Sequence, residues 1–302
     1  MTFRENLGYL YFITPFFSVV ENKIGLISSI LLGRSEYKVK IKNQIIKIPK
    51  SRFSTLRDLL GCLTYSNFYS IDSMKNLEIS FDENSKFKIP LKEPSFEDIN
   101  LIELLYLGTR YGANFLTNDI SFSDIRKQTF KIISKNNKKI IITSNGIKFF
   151  LDSIHPGNTI IETFVREIHS INSIIDWNNK IIVDVGAECG DTPLYFASMG
   201  AKVFAFEALK KHFELMKKNL ELNPSLSEKI IPINAAIGKD GQLKFFVSAD
   251  NEQSGSCGAS FVYNNQNNDF KYEQVIGYQL KTARKKFGIN HIDLLKMDCK
   301  EC

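Results

Sequence analysis

The chain has 302 residues, long enough for more than one domain and a sizeable buried core. Its 43% hydrophobic and 24% charged content is that of an ordinary globular protein, which excludes a disordered or low-complexity chain. The net charge of +6 sits in one part: residues 1–138 hold 20 Lys+Arg against 14 Asp+Glu, and residues 139–302 hold 19 against 19.

The N-terminal stretch has two apolar runs, Leu7 to Val20 and Ile24 to Leu32, separated by Glu21-Asn22-Lys23 and interrupted by Pro15. Neither reaches the ~20 residues of a spanning helix, and no small-residue cleavage site follows, so a docked pair of amphipathic helices is expected. The five cysteines, Cys62, Cys189, Cys257, Cys299 and Cys302, are odd in number and scattered, as expected of reduced thiols in a cytoplasm. Cys299 and Cys302 have metal-like spacing without a second pair, and no metal site is expected.

Residues 37–49 alternate lysine with apolar residues and read as a strand or hairpin. Seven basic residues and no acid lie between Glu36 and Asp58. This is either a patch for an anionic ligand or lysine guarding an edge strand, and the second is the plainer reading. Leu77 to Ile79 and Phe87 to Ile89 suggest a second hairpin around D-E-N-S. Ser95-x-x-Asp98 has the form of a capping box opening a helix to about Tyr111. Residues 1–138 are therefore a mixed α+β region whose role the sequence does not give.

From 139 the pattern sharpens. I-I-I-T-S, Asn145-Gly146 and I-K-F-F-L-D spell a hairpin, and a helix is expected from about Thr159 to Ile171. Ile181 to Val185 is a short apolar run, as in a strand buried on both faces of a parallel sheet. Gly186 and Gly190 bracket a tight turn. Thr192-Pro193 should start a helix, with the threonine hydroxyl as its cap, that stops at Gly200. A second strand, Val203 to Phe206, ends in Glu207. This is half of a mononucleotide-binding unit. A nicotinamide dinucleotide would want G-x-G-x-x-G, whereas the turn here is G-x-x-x-G. Asp184, inside the first strand, suits an amine-bearing ligand, and a strand-end carboxylate can accept two hydrogen bonds from a ribose diol.

The combination V-D-V-G-A-x-x-G-D-T followed by A-F-E resembles the cofactor site of class I methyltransferases, and more narrowly the FkbM family. The likeness continues through Leu215 to Pro224, Ile231 to Gly238 and Ile292 to Cys299, roughly the second half of the chain. It implies an α/β fold, a class I methyltransferase-like doubly wound sheet over 139–302, preceded by the mixed region. It implies S-adenosyl-L-methionine as cofactor and transfer of a methyl group to a hydroxyl on a small molecule or glycan. Cofactor-binding positions would be Asp184, Gly186, Ala187, Glu188, Gly190, Asp191, Thr192, Glu207, Asn234 and Ala235, with Asn234 near the adenine. Asp298, delivered by a fourth strand from Ile292 to Met297, would be the catalytic residue, orienting the acceptor or taking its proton.

His212, one turn past Glu207, is a candidate for the adenosine pocket; His155, His169 and His291 are not. Leu243 to Val247 reads as a further strand and Asn251 to Gly258 as a loop. Three departures stand out. Glu188 replaces the usual Asn, Lys300-Glu301 replace Glu-Gly, and the sequence stops at Cys302 where a full sheet of this class has further strands. The expectation is thus an incomplete sheet with an open edge at the fourth strand, prone to self-association and weak in activity. Nucleic acid is not expected as a partner, because Asp298 lacks the Pro-Pro-aromatic continuation of nucleic-acid amino-methyltransferases. The rival readings are a non-catalytic cofactor-binding remnant and a dinucleotide-dependent oxidoreductase.

Overall fold

Alternation of apolar and polar residues places most strands where the sequence predicts them. A computed structural model describes residues 3–81, 86–110, 114–116, 119–121, 129–169, 175–248, 259–260 and 270–298. The chain divides into two units, residues 1–133 and 134–302.

In the first unit the two apolar runs form helices Phe3–Ile13 and Lys23–Leu31, joined by a 3₁₀ turn at Thr14–Val19. Among the described residues no helix is long and apolar enough to cross a membrane. The lysine-rich segment is a hairpin of Glu36–Ile41 and Gln44–Pro49, with Tyr37 opposite Ile48 and Val39 opposite Ile46. Its two turn residues, Lys42 (φ 44°) and Asn43 (φ 63°), are both left-handed, as a two-residue turn of this hand requires. Tyr37, Val39 and Ile41 are buried, so the hairpin's apolar face is core. Helix Phe53–Tyr65 and a three-stranded antiparallel sheet, Phe68–Ile71, Asn76–Ser80 and Lys86–Pro90, follow. The D-E-N-S turn lies outside the described residues. The capping box is formed: Ser95 Oγ accepts from Asp98 N at 3.2 Å, and Asp98 Oδ2 accepts from Ser95 N at 3.0 Å, opening helix Phe96–Arg110.

The second unit opens with the hairpin Lys138–Ile142 and Lys148–Phe150, Ile142 facing Lys148. The helix expected over 159–171 is instead a π-helical segment, Pro156–Val165. Arg166 N bonds to Ile161 O at 2.7 Å, five residues back. The wider winding sets Thr159 and Thr163 about one turn apart, and both reach the glycine turn described below. The apolar period was legible, but the register of the winding came from those tertiary contacts.

The central sheet has four parallel strands: β1 (Ile181–Val185), β2 (Lys202–Phe206), β3 (Ile230–Ile233) and β4 (Leu294–Met297). Their spatial order is β3-β2-β1-β4. Register runs Asp184 to Ala205 on one side and Asp184 to Lys296 on the other. Chain order reverses at β1, which puts the switch point of the sheet at the C-terminal end of that strand. Successive residues alternate faces. Val183 and Val185 pack with Phe204, Phe206, Ile233, Ala283 and Ile289, while Asp184 faces the opposite side.

Helices α1 (Asp191–Ser198) and α2 (Lys210–Glu221) connect the first three strands, and α3 (Leu280–Phe287) precedes β4. The further strand expected at Leu243 to Val247 extends over Gly241–Ser248 and joins a second small sheet. It pairs antiparallel with Phe270–Tyr278, which also runs parallel to Ala236–Ile237. The proposed loop 251–258 lies outside the described residues, as do Lys300, Glu301 and the cysteines at 257, 299 and 302.

Candidate active site

Strand β1 ends at Val185 and the chain turns sharply. Gly186 (φ 84°) and Gly190 (φ 88°) are left-handed, a conformation that costs L side chains energy and glycine almost none. At Gly190 space is limiting as well: a Cβ there would sit 2.9 Å from Met216 Cγ. Glu188 is also left-handed at φ 44° without being glycine. Position 188 is where the resemblance expects Asn, a residue that tolerates this region better.

The turn is pinned from several sides. Gly186 N and Ala187 N both donate to Phe206 O, at 2.9 and 3.0 Å, which ties it to the end of β2. Glu207, the next residue, accepts from Glu188 N at 2.9 Å on Oε2 and from Leu209 N at 2.9 Å on Oε1. Its side chain is nearly buried, and burial outweighs those two amides, so its pKa is pushed up to about 7. His212 Nδ1 lies 3.9 Å from Glu207 Oε1, and burial, with help from Lys211 and His155, lowers the imidazole's pKa to about 4. His212 is therefore a neutral neighbour of Glu207 at physiological pH. Asn234 is at the surface just after β3, and its amide donates to the carbonyls of Glu207 (2.9 Å) and Ala208 (3.0 Å). Ala235 beside it is buried.

Asp184 is placed differently from the amine-binding role the sequence suggested. It has no exposed surface. Its Oδ2 accepts from Thr192 Oγ1 at 2.6 Å, and Lys296 Nζ stands 3.1 Å from Oδ1. Thr192 thus serves Asp184 and not the helix cap; Gly190 occupies that position, with no side-chain cap bond. A fully buried carboxylate is the stronger competitor for a nearby hydroxyl, because leaving it unpaired costs several kcal/mol, against about 1 for a cap. Asp191 sits one residue earlier, against Thr163 Oγ1 at 2.6 Å. It is enclosed by protein atoms although part of its surface still meets solvent. Desolvation raises its pKa against the opposing pull of Lys296 and Thr163. Cys189, also buried, has its thiol pushed well above the usual range by desolvation, with Thr159 Oγ1 at 3.7 Å.

Lys296 was not singled out from the sequence. A lysine inside L-L-K-M, a strand paired on the face of buried Asp184, is the signal that pointed to it. Its ammonium lies 3.1 Å from Asp184, 3.3 Å from Thr192 Oγ1 and 3.9 Å from Asp298 Oδ2. Burial disfavours its charge, but Asp184, Asp191 and Asp298 outweigh burial and its pKa is raised. Asp298 itself is well exposed at the end of β4, its backbone N donating to Val185 O at 3.1 Å. The β1–β4 pairing therefore delivers Asp298 to the same end of the sheet as the glycine turn.

A second group missed in the sequence is Asn219. It is fully buried on α2, where Oδ1 accepts from Phe150 N (3.1 Å) and Ser153 Oγ (3.0 Å) and Nδ2 donates to Cys189 O (2.9 Å). Asn223, one turn later, exchanges bonds with the backbone of Lys148 at 2.9 and 2.7 Å. Asn219 on the buried stripe of an amphipathic helix, with Asn223 four residues on and just past the helix end, was the available signal. Together they fasten the preceding hairpin to the glycine turn.

The site thus combines a backbone turn bracketed by two glycines, a strand-end carboxylate facing it, and an exposed acid on the neighbouring strand. Among the described residues no three His, Cys, Asp or Glu side chains form a metal-binding group. The methyltransferase FkbM domain model matches residues 184–301. A solved structure, the SAM dependent methyltransferase from Agrobacterium tumefaciens, is similar over 54% of this chain and 50% of that chain, at 14% identity and a TM-score of 0.23. The chain thus spans about half the length of that enzyme. No curated protein matches. The match to the methyltransferase FkbM domain model thus begins at Asp184, in the strand that leads into the glycine turn at the switch point of the β3-β2-β1-β4 parallel sheet.

Proposed function

We propose that this protein binds S-adenosyl-L-methionine at the β1 turn and transfers its methyl group to an oxygen nucleophile on a small molecule or glycan. The observation that supports this most is the pairing of a left-handed glycine turn with Glu207 at the next strand end, at the point where the strand order reverses. When bound, the cofactor supplies an electrophilic sulfonium methyl group. The protein's share is placement.

Gly186, Ala187, Glu188 and Gly190 provide the close backbone floor for the cofactor. Glu207 takes the ribose diol with the lone pairs its two amide partners leave free. Asn234 and Ala235 edge the adenine, with His212 as a neutral wall. Asp191 and Thr192 hold the start of α1, and Asp184 acts through Thr192 and Lys296 as a positioning residue. Asp298 orients the acceptor hydroxyl and takes its proton, with the Lys296 ammonium 3.9 Å away. Methyl transfer needs chiefly in-line positioning of the nucleophile, so a single exposed carboxylate is sufficient chemistry. A reducing, cytoplasmic setting fits the buried unpaired thiols of Cys62 and Cys189.

Calorimetric titration with S-adenosylhomocysteine tests the reading. Glu207→Ala removes two charge-assisted bonds to the ribose and should cost on the order of 2–4 kcal/mol of binding. Unchanged binding in that variant, or tighter binding of NAD than of S-adenosylhomocysteine by the parent, refutes it.

A further inference from the structure

The basic excess of the N-terminal unit has a specific focus. Three of the four hairpin lysines are engaged locally: Lys40 pairs with Glu21 at 3.1 Å, Lys47 stands 3.9 Å from Glu36, and Lys42 lies over the Tyr69 ring. Lys50 and Arg57 instead line a cleft of about 690 Å³ together with Ser54 and the rings of Tyr9, Phe12 and Phe53. That volume is typical of a small-molecule site.

Two features of the cleft are independent of one another. The first is charge. Among the described residues no acid lines the cleft. Arg57 is neutralised by Asp58 at 2.6 Å, while the ammonium of Lys50 meets the carbonyl of Gly33 at 3.3 Å and keeps its charge for the cleft. Lys50 also opens the 3₁₀ turn Lys50–Arg52 that leads into helix Phe53–Tyr65, whose first turn carries no acid.

The second feature is flatness: Tyr9 stacks on Phe53 with centroids 4.1 Å apart and planes 21° apart. Asn6 Oδ1 and Tyr37 Oη are buried without hydrogen-bond partners nearby, but neither residue lines the cleft and neither atom reaches its surface, so they are no part of the site.

We propose that this cleft binds a small organic phosphate monoester carried on a flat, hydroxylated ring system, of the kind a nucleoside monophosphate presents. Lys50 and Ser54 take the phosphate. Tyr9, Phe12 and Phe53 take the ring, and Ser35 and Ser51, which also line the cleft, face the ligand's hydroxyls. The site does not depend on the methyltransferase reading.

The test is calorimetry on the full chain with uridine 5′-monophosphate, uridine, inorganic phosphate and a ten-nucleotide single strand. The monophosphate should saturate with Kd below roughly 1 mM, at least about tenfold tighter than uridine or phosphate alone. Lys50→Gln should weaken it about tenfold, and Ser54→Ala less, with S-adenosylhomocysteine binding unchanged in both. Ser54→Ala serves as the readout if Lys50→Gln does not fold. Absence of saturation, equal affinity for inorganic phosphate or uridine, and unchanged affinity in the variants each overturn the proposal. So do displacement by S-adenosylhomocysteine and tighter binding of the single strand.

Discussion

Asn219 is the sharpest place to perturb the active-site scaffold. Its side chain has no exposed surface and makes three bonds of 2.9–3.1 Å, to Phe150 N, Ser153 Oγ and Cys189 O. Asn219→Ala leaves the Phe150 amide and the Cys189 carbonyl buried without these partners. Ser153 keeps its bond to Phe150 O at 2.7 Å and is not orphaned. At about 1–3 kcal/mol for each stranded group, the loss should be about 4 kcal/mol. Asn219→Asp isolates the donor: the two acceptor contacts persist, but an oxygen replaces the N–H facing Cys189 O, and the loss should be at least as large.

The assay is urea unfolding followed by tryptophan fluorescence. Trp177 is the chain's single tryptophan, buried against Phe196 in the C-terminal unit, so the signal reports that unit alone. With a slope of about 2 kcal/mol per molar urea, the midpoint should fall by roughly 2 M. Binding of S-adenosylhomocysteine should weaken too, because Cys189 adjoins Gly190 in the turn. A loss below about 1 kcal/mol in Asn219→Ala, or a parent-like Asn219→Asp, refutes the reasoning.

Four further outcomes are expected. Glu207 has a folded pKa of about 7 against an ordinary carboxylate value, and its ionised form is the better acceptor for a diol. Affinity for S-adenosylhomocysteine should therefore rise from pH 6 to 8 and flatten in Glu207→Gln. In stability the same shift has the opposite sense: the folded carboxyl holds a proton the unfolded chain releases, so stability falls as pH rises toward 7. His212, neutral down to about 4, opposes that trend below pH 6.5, and His212→Asn should expose a decline of up to about 3 kcal/mol in urea titrations between pH 4.5 and 7.

Lys296→Met strands the buried Asp184 carboxylate and should cost about 3–5 kcal/mol, most of it recovered in Asp184→Asn/Lys296→Met; an additive pair in the same fluorescence assay would count against the ion pair. Glu188→Asn relaxes the left-handed residue at φ 44° and should raise stability by about 1 kcal/mol, with no gain if that conformation is unstrained.

The central sheet and its turn were legible in the sequence because their signals are local. Val203 to Phe206 is uniformly apolar and Ile181 to Val185 is broken only by Asp184, as suits strands covered on both faces. Gly186 and Gly190 sit where the backbone turns left-handed, and Asn145-Gly146 and Ser95-x-x-Asp98 carry their own turn and cap chemistry.

What tertiary structure decided is where polar groups went once buried. Thr192 reads as a helix cap, yet a buried carboxylate eight residues away takes its hydroxyl. Asp184 reads as a ligand contact, yet parallel register sets Lys296 beside it across 112 residues of chain. The segment after Pro156 has helical periodicity, yet its threonines reach Cys189 and Asp191 from a π winding. Asn219 reads as one polar residue on an amphipathic helix, yet it holds a strand, a hydroxyl and a glycine-turn carbonyl together. In each case a single residue type fits several partners, and only the pairing of distant strands and helices in a dry interior, where every polar group must find one, selects among them.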